Sequence, residues 1–112
     1  MIITNVEFVP NKTITAHLGL VTGGTVRAKN AVKDFGASVK NMFGGEIQNY
    51  TELLEEARQE ALDRMIAQAT ALHADAVINV RFSTSAILEG AAEVYVYGTA
   101  VQLQWVPWYF GV

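Results

Sequence analysis

The amino-acid sequence predicts one α+β domain in which one long and one shorter helix cover one face of a mostly antiparallel sheet. A chain of 112 residues has the usual length of a single domain. The apolar spacing changes from alternating to helical and back, which predicts the order strand, strand, helix, helix, strand, strand. No repeat or linker divides the chain, and its helices and strands are segregated, which is typical of an α+β fold.

Two strands are predicted in the N-terminal quarter. Residues 2–9 are rich in β-branched and aromatic side chains and end at Pro10, which predicts a short first strand. The alternating residues 13–21 predict a half-buried second strand. Its predicted faces are Ile14, Ala16, Leu18 and Leu20 on one side and Thr13, Thr15, His17, Gly19 and Val21 on the other. The glycine pair at 23–24 predicts a break or bulge before the chain continues extended to position 28.

Two helices are predicted in the middle of the chain. The shorter helix starts after an N-cap at Asn30 and stops at the glycine pair 44–45. The long helix runs from Tyr50 to about Leu72, and its alanine-rich apolar stripe indicates close packing. That stripe is Leu54, Ala57, Ala61, Met65, Ala69 and Leu72.

Two further strands are predicted after the long helix. Residues 75–84 alternate, and the inward side is predicted to be Ala76, Ile78, Val80 and Phe82. The last strand covers 93–104, with Tyr95, Tyr97, Thr99, Val101 and Leu103 on one face and Val94, Val96, Gly98 and Ala100 on the other. Because both faces are partly apolar, this strand is typical of a central or interface position.

Composition excludes several classes of function. The chain has no cysteine, which excludes disulfides, thiolate zinc sites, iron–sulfur clusters and cysteine nucleophiles. A net charge of -3 argues against nucleic-acid binding, which depends on neutralising phosphates. No apolar run approaches the ~20 residues of a membrane span and no export signal is evident, so we expect a cytoplasmic protein. Standard catalytic motifs are missing, so we do not expect an enzyme.

The two histidines are candidates for metal binding or proton transfer. His17 is interpreted either as a packed or interface residue or as a ligand for a metal ion. His73 ends the long helix, where we expect it to cap the helix in a left-handed backbone conformation. The acidic residues of the long helix are expected to form a solvated face rather than a cation site.

A second candidate site centres on Arg81, which lies in mid-strand beside Asn79 among apolar neighbours. A guanidinium there needs a partner, so a salt bridge, an anion or a subunit contact is expected. Polar groups that meet aromatic walls at an interface are a usual setting for a ligand. A ligand site between protomers is therefore predicted to be lined by His17, Asn79, Arg81, Tyr95 and Tyr97.

Five segments in order carry a resemblance to a known family. They are GLVTGGTV at 19–26, the glycine pair at 44–45, the helix at 50–72, ADAVINVRF at 74–82 and YGTAVQL at 97–103. Together they resemble the YbjQ-type family, which carries the label "putative heavy-metal-binding". The match covers about residues 2–103, so residues 1–104 are assigned to a YbjQ-like domain and 105–112 to an aromatic C-terminal tail. That tail is expected to fold back on its own domain or to latch a neighbouring subunit.

The resemblance implies a dodecin-like, two-layer protomer that assembles into a ring, typically a homopentamer. The function it implies is that of a ring-forming binding or scaffold protein, and the alternative is a small-molecule or anion binder with its site between protomers. The family label implies a metal ion, whose identity the residues leave open. Because soft metals prefer the thiolates that this chain lacks, copies of His17 gathered around one axis are the predicted ligands.

Overall fold

The computed structural model describes residues 1–28, 47–88 and 91–106. In chain order the elements are β1 (Ile2–Ile3), β2 (Lys12–Ala28), α1 (Ile47–Ala71), β3 (Ala76–Leu88) and β4 (Ala91–Trp105). The strands form one mixed sheet in the order β1-β3-β4-β2, in which β1 is parallel to β3 and the other neighbours are antiparallel. The predicted α+β class is confirmed. The predicted shorter helix and most of the aromatic tail lie outside the described residues.

One face of the sheet is covered by α1, which lies across β2 and β4. Four residues of the predicted apolar stripe are wholly buried there, namely Ala57, Ala61, Met65 and Ala69. They share a core with Val21 of β2 and with Val94, Val96 and Ala100 of β4. We call this the helix-side core. The stripe ends in an exposed Leu72, because α1 has already ended at Ala71.

Helix and sheet approach each other most closely at Gly23. A Cβ atom added there would lie 1.9 Å from the carbonyl oxygen of Ala61 and 2.7 Å from the amide nitrogen of Met65. The break or bulge in the strand that was predicted at Gly23 and Gly24 is wrong, because β2 continues through both residues without a register shift. Glycine is needed at position 23 because it lets the strand touch the helix backbone.

The helix ends in a Schellman turn at His73, whose φ is 62°. The amide of Ala74 donates to the carbonyl of Ala69, and the amide of His73 donates to the carbonyl of Thr70, both at 3.0 Å. The left-handed cap predicted for His73 is confirmed. Since β3 begins at Ala76, the helix leads directly into the sheet.

A smaller core lies on the other face of the sheet, near β1. Its buried residues are Val9, Ala76, Ile78 and Val101, with Ile2, Ile14 and Leu103 packed around them. Val9 belongs to the segment that follows β1 and returns over this face. The first strand predicted over residues 2–9 is therefore only two residues long.

Register shifts change the faces that alternation predicted for β2. Two shifts lie between Ile14 and Gly19, and Gly19 has a φ of 117°. As a result, Ile14 packs in the smaller core, Leu18 packs against the helix-side core and Leu20 is exposed. The common face predicted for these leucines and Ile14 is wrong, because each bulge inserts one residue and reverses the alternation.

A similar shift interrupts β3 between Ile78 and Arg81, where Asn79 has a φ of 53°. Ile78 faces the smaller core, whereas Val80 faces the helix-side core. The single inward face predicted for this strand is therefore wrong. In β4, by contrast, the predicted alternation is confirmed from Val94 to Ala100.

The molecule is elongated, with extents of 65 × 25 × 16 Å. Its radius of gyration is 18.6 Å, whereas a compact domain of this length has about 13 Å. The length comes from the strands, since the 17 residues of β2 span about 55 Å in extended form. Within residues 1–28, 47–88 and 91–106, no helix has the length and apolar character needed to cross a membrane.

Candidate functional site

On the face of the sheet that points away from α1, several large side chains are not covered by any of the described residues. We call this face the open face and define it by Leu20, Thr22, Val26, Glu93, Tyr95, Tyr97 and Thr99. Val94 and Val96 are buried under the helix, so the residues between and beside them point the other way. The register places Leu20 opposite Thr99, Thr22 opposite Tyr97 and Val26 opposite Glu93.

Four apolar or aromatic residues of the open face are exposed to solvent. Leu20 is 69% exposed, Val26 57%, Tyr95 39% and Tyr97 38%. Single exposed apolar residues are normal on protein surfaces, but a contiguous set on one sheet face marks an interaction site. Tyrosine is also enriched at protein interfaces.

The two tyrosines form a pair at the centre of this face. Their ring centroids are 5.9 Å apart and the rings are tilted by 37°. The Tyr95 ring lies beside Gly24 of β2, where an added Cβ atom would lie 3.4 Å from Cδ2 of the ring. The glycine therefore leaves room for the ring to lie against the neighbouring strand.

The outer edge of β2 is covered by a polar row on α1 made of Glu60, Arg64 and Gln68. Gln68 Oε1 accepts a hydrogen bond from the amide of Thr22 at 2.9 Å, and Arg64 donates to the carbonyl of Gly24. Glu60 pairs with Arg64, as the i,i+4 spacing predicts, and accepts a hydrogen bond from the buried Thr25 at 3.1 Å. Glu60 is therefore part of the helix–sheet contact and not of a purely solvated face. These bonds occupy backbone groups that an edge strand otherwise presents to other chains.

Arg81 lies at the opposite edge of the sheet. Its Nη1 donates to the carbonyl of Asn5 at 2.7 Å and to the carbonyl of Val80 at 3.0 Å. In the part of the chain that the structure describes, no carboxylate pairs with this guanidinium. Among the described residues, two carbonyl contacts take the place of the salt bridge that was one of the partners expected from the sequence.

The five residues predicted to line one ligand site do not meet within a protomer. Tyr95 and Tyr97 lie together, but the Arg81 guanidinium turns to the sheet edge. His17 is exposed and pairs with Val101, four residues along β4 from Tyr97, which corresponds to about 13 Å. Asn79 lies in the β3 bulge, where its amide donates to the carbonyl of Val6 at 3.0 Å.

The described residues of one protomer do not fit a heavy-metal ion. No group of three histidine, cysteine, aspartate or glutamate side chains lies close enough to hold a metal within residues 1–28, 47–88 and 91–106. His17 therefore offers a single imidazole. The helix carboxylates have other partners, since Glu55 pairs with Arg58 and Asp63 accepts a hydrogen bond from Gln59, both at 2.8 Å.

Sequence reasoning missed the exposure of Leu20 and the contacts of Gln68. The signal for Leu20 was Gly19, because a glycine inside an alternating strand indicates a bulge that turns the next residue over. The bond from Gln68 to Thr22 joins residues 46 positions apart, and no local pattern marks it.

Comparison with curated proteins finds relatives that are more than half identical to this chain. A UPF0145 protein of Hahella chejuensis is 59% identical over 104 residues, which cover 93% of this chain and 100% of that protein. A UPF0145 protein of Archaeoglobus fulgidus is 56% identical over 104 residues, covering 93% of this chain and 96% of the relative.

A solved structure and a family model complete the comparison. The crystal structure of a protein of unknown function of the DUF74 family from Pediococcus pentosaceus has a TM-score of 0.58 at 22% identity, covering 93% of this chain and 98% of the other. At that identity the likeness shows the fold alone. The YbjQ family model, described as "Putative heavy-metal-binding", matches residues 1–104. On this match and on relatives more than half identical, the chain belongs to the YbjQ family.

Proposed function

We propose that this protein is a cytoplasmic binding or scaffold protein whose functional unit is a ring of identical chains. The observation that carries the proposal is the open face, where Leu20, Val26, Tyr95 and Tyr97 are exposed on one side of the sheet. A second copy of the chain is the proposed cover for this face.

The shape of the protomer supports assembly. An elongated chain with a radius of gyration of 18.6 Å buries less of its surface than a compact domain of the same length. Contact between copies buries further surface. The assembly is then stabilised by roughly 25 cal/mol for each Å² of apolar surface removed from water. The covered edge of β2 at Thr22 and Gly24 directs contact toward the open face instead of that edge.

A closed ring of five copies is the form that the family resemblance implies. Closed rings arise when each copy presents two different surfaces to its two neighbours. The role we propose is non-catalytic.

Metal binding is proposed only for the assembled form, because no group of three metal-ligating side chains lies together among the described residues of one protomer. Copies of the exposed His17 side chain gathered at a ring axis would supply several imidazoles to one ion. A small-molecule or anion site between protomers is the alternative, and it is favoured by the exposed tyrosine pair and by Arg81, whose charge has no counterion among the described residues.

The test is sedimentation velocity at micromolar chain concentration, combined with native mass spectrometry and metal analysis of protein purified without chelator. We expect a mass of several chains for the wild type. Leu20→Glu places a charge on the open face and is expected to yield monomers, since burying an unpaired charge is costly. Ala67→Glu adds the same charge on the exposed side of α1 and is expected to leave the assembly unchanged.

Two results would contradict the proposal. One is a monomeric wild type, and the other is an assembly that Leu20→Glu and Ala67→Glu affect equally. If the ring binds metal and His17→Ala removes the metal from an intact ring, the metal function is supported. A metal-free ring would instead favour the ligand site between protomers.

A further inference from the structure

An open cleft of about 430 Å³ lies at the sheet edge where β1 ends beside β3. It is lined by Ile3, Thr4, Asn5, Val80, Arg81 and Phe82. All six residues come from one chain, so the cleft does not depend on the proposed ring. The sequence did not place Arg81 with the other five residues, because β1 and β3 are more than 70 residues apart.

The cleft contains a positioned cation. Arg81 is anchored through Nη1 to the carbonyls of Asn5 and Val80. A guanidinium has five N–H donors, so this anchoring leaves the donors on Nη2 and Nε. Those two nitrogens form the planar fork that binds a carboxylate with two parallel hydrogen bonds. No described carboxylate pairs with Arg81.

The main chain adds a further donor at the same edge. The amide of Val80 points outward and donates to the carbonyl of Thr4 at 3.0 Å. Because strand amides alternate in direction, the amide of Phe82 points to the same edge. It lies beyond the end of β1 at Ile3, so no described strand pairs with it.

The rest of the lining is apolar. Ile3 and Val80 belong to the helix-side core and offer a rigid aliphatic wall. Phe82 is 46% exposed at the mouth of the cleft. One fixed positive charge beside an apolar wall favours a singly charged ligand with an apolar body over inorganic phosphate, whose higher charge needs more donors.

We propose that this cleft binds a small monocarboxylate with an apolar chain. The Arg81 fork holds the carboxylate, and Ile3 and Phe82 contact the chain. This inference names a ligand class for a site within one protomer, which shares Arg81 with the alternative site between protomers but needs no partner chain.

Saturation-transfer NMR with hexanoate tests the proposal on the full chain in its native assembly state. We expect hexanoate to bind, and we expect hexanol and inorganic phosphate to bind at least about tenfold more weakly. Acetate should also bind more weakly than hexanoate, because it lacks the chain that contacts the apolar wall. Arg81→Gln is expected to weaken hexanoate binding by at least about tenfold. Arg81→Lys keeps the charge but loses the fork, so it is expected to restore binding only in part.

Arg58→Gln is the matched control, because it removes the same charge from an exposed arginine on α1. Phe82→Ala is a second probe, and it is expected to reduce the preference for hexanoate over acetate. The proposal is overturned if the wild type does not bind hexanoate, if hexanol binds equally well, or if Arg81→Gln and Arg58→Gln bind alike. Native mass recorded on the same samples separates the two proposals, since a monomer that binds hexanoate refutes the ring and supports the cleft.

Discussion

The two faces of the same sheet differ in how the chain covers them. Along β4, Val94 and Val96 are wholly buried under α1. Tyr95 and Tyr97, which alternate with them, face the other way and are partly exposed. The helix side is closed by α1, whose backbone touches β2 at Gly23, whereas no described residue covers the large side chains of the open face. Within the described residues, the chain therefore buries the helix side along β2 and β4, but it buries the other side only near β1.

The largest effect is expected when a large side chain is removed from each face of the sheet in turn. Met65→Ala should lower the free energy of unfolding by about 2–5 kcal/mol, because Met65 is wholly buried in the helix-side core. Leu20→Ala should change the stability of an isolated chain by less than about 0.5 kcal/mol. Urea unfolding at several chain concentrations checks both values. The Met65→Ala loss should not vary with concentration, whereas any Leu20→Ala loss should appear only where copies associate.

Two adjacent glycines provide the next test. Gly23→Ala forces a Cβ atom into the backbone of Ala61, so we expect a loss of about 1–3 kcal/mol or more. Gly24→Ala meets the Tyr95 ring at an ordinary contact distance of 3.4 Å and should cost about 1 kcal/mol or less. Urea unfolding of both variants at one fixed chain concentration measures the difference. Equal losses would mean that α1 is not in backbone contact with β2.

Removing the bond between Gln68 and Thr22 should have a smaller effect. Gln68→Ala should lower the free energy of unfolding by about 0.5–1.5 kcal/mol, since the edge amide of Thr22 loses its partner. Gln59→Ala is the control, because Gln59 bonds only to the exposed Asp63 on the same helix. Hydrogen exchange at the Thr22 amide should accelerate in the Gln68→Ala variant. Unchanged exchange there would exclude the proposed cover of the β2 edge.

The smallest effect is expected at the helix end. His73→Gly should raise the free energy of unfolding by about 0.5–1 kcal/mol, because glycine adopts the φ of 62° without strain. The same change in mid-helix, Ala67→Gly, should lower it by about 1 kcal/mol. Thermal unfolding of the two variants distinguishes the signs. A destabilised His73→Gly variant would mean that the imidazole itself supports the turn.

Local patterns predicted α1, its stripe, the His73 cap and the two faces of β4, because each depends on the spacing of neighbouring residues. They failed in β2 and β3, where bulges near Gly19 and Asn79 insert single residues and reverse the faces. They also failed for Gly23, whose role depends on a helix that lies across the strand.

The candidate site residues depend partly on strand faces and partly on contacts between distant segments. Tyr95 and Tyr97 were placed together correctly, since they share one strand face. Arg81 was grouped with them as a polar group beside aromatic residues, and although it pairs with Tyr97 in the sheet, its guanidinium turns to the carbonyl of Asn5 at the sheet edge. That contact depends on the return of the N-terminal segment beside β3, and sequence spacing does not encode it.

Hydroxyl-radical footprinting tests most directly whether the open face is covered by a second copy. We expect Tyr95 and Tyr97 to be protected in the wild type and to become reactive in Leu20→Glu. Met65 should stay protected in both proteins because the protomer itself buries it, and the exposed Trp105 should serve as a reactive reference. Equal tyrosine modification in the two proteins would mean that no second copy covers the open face.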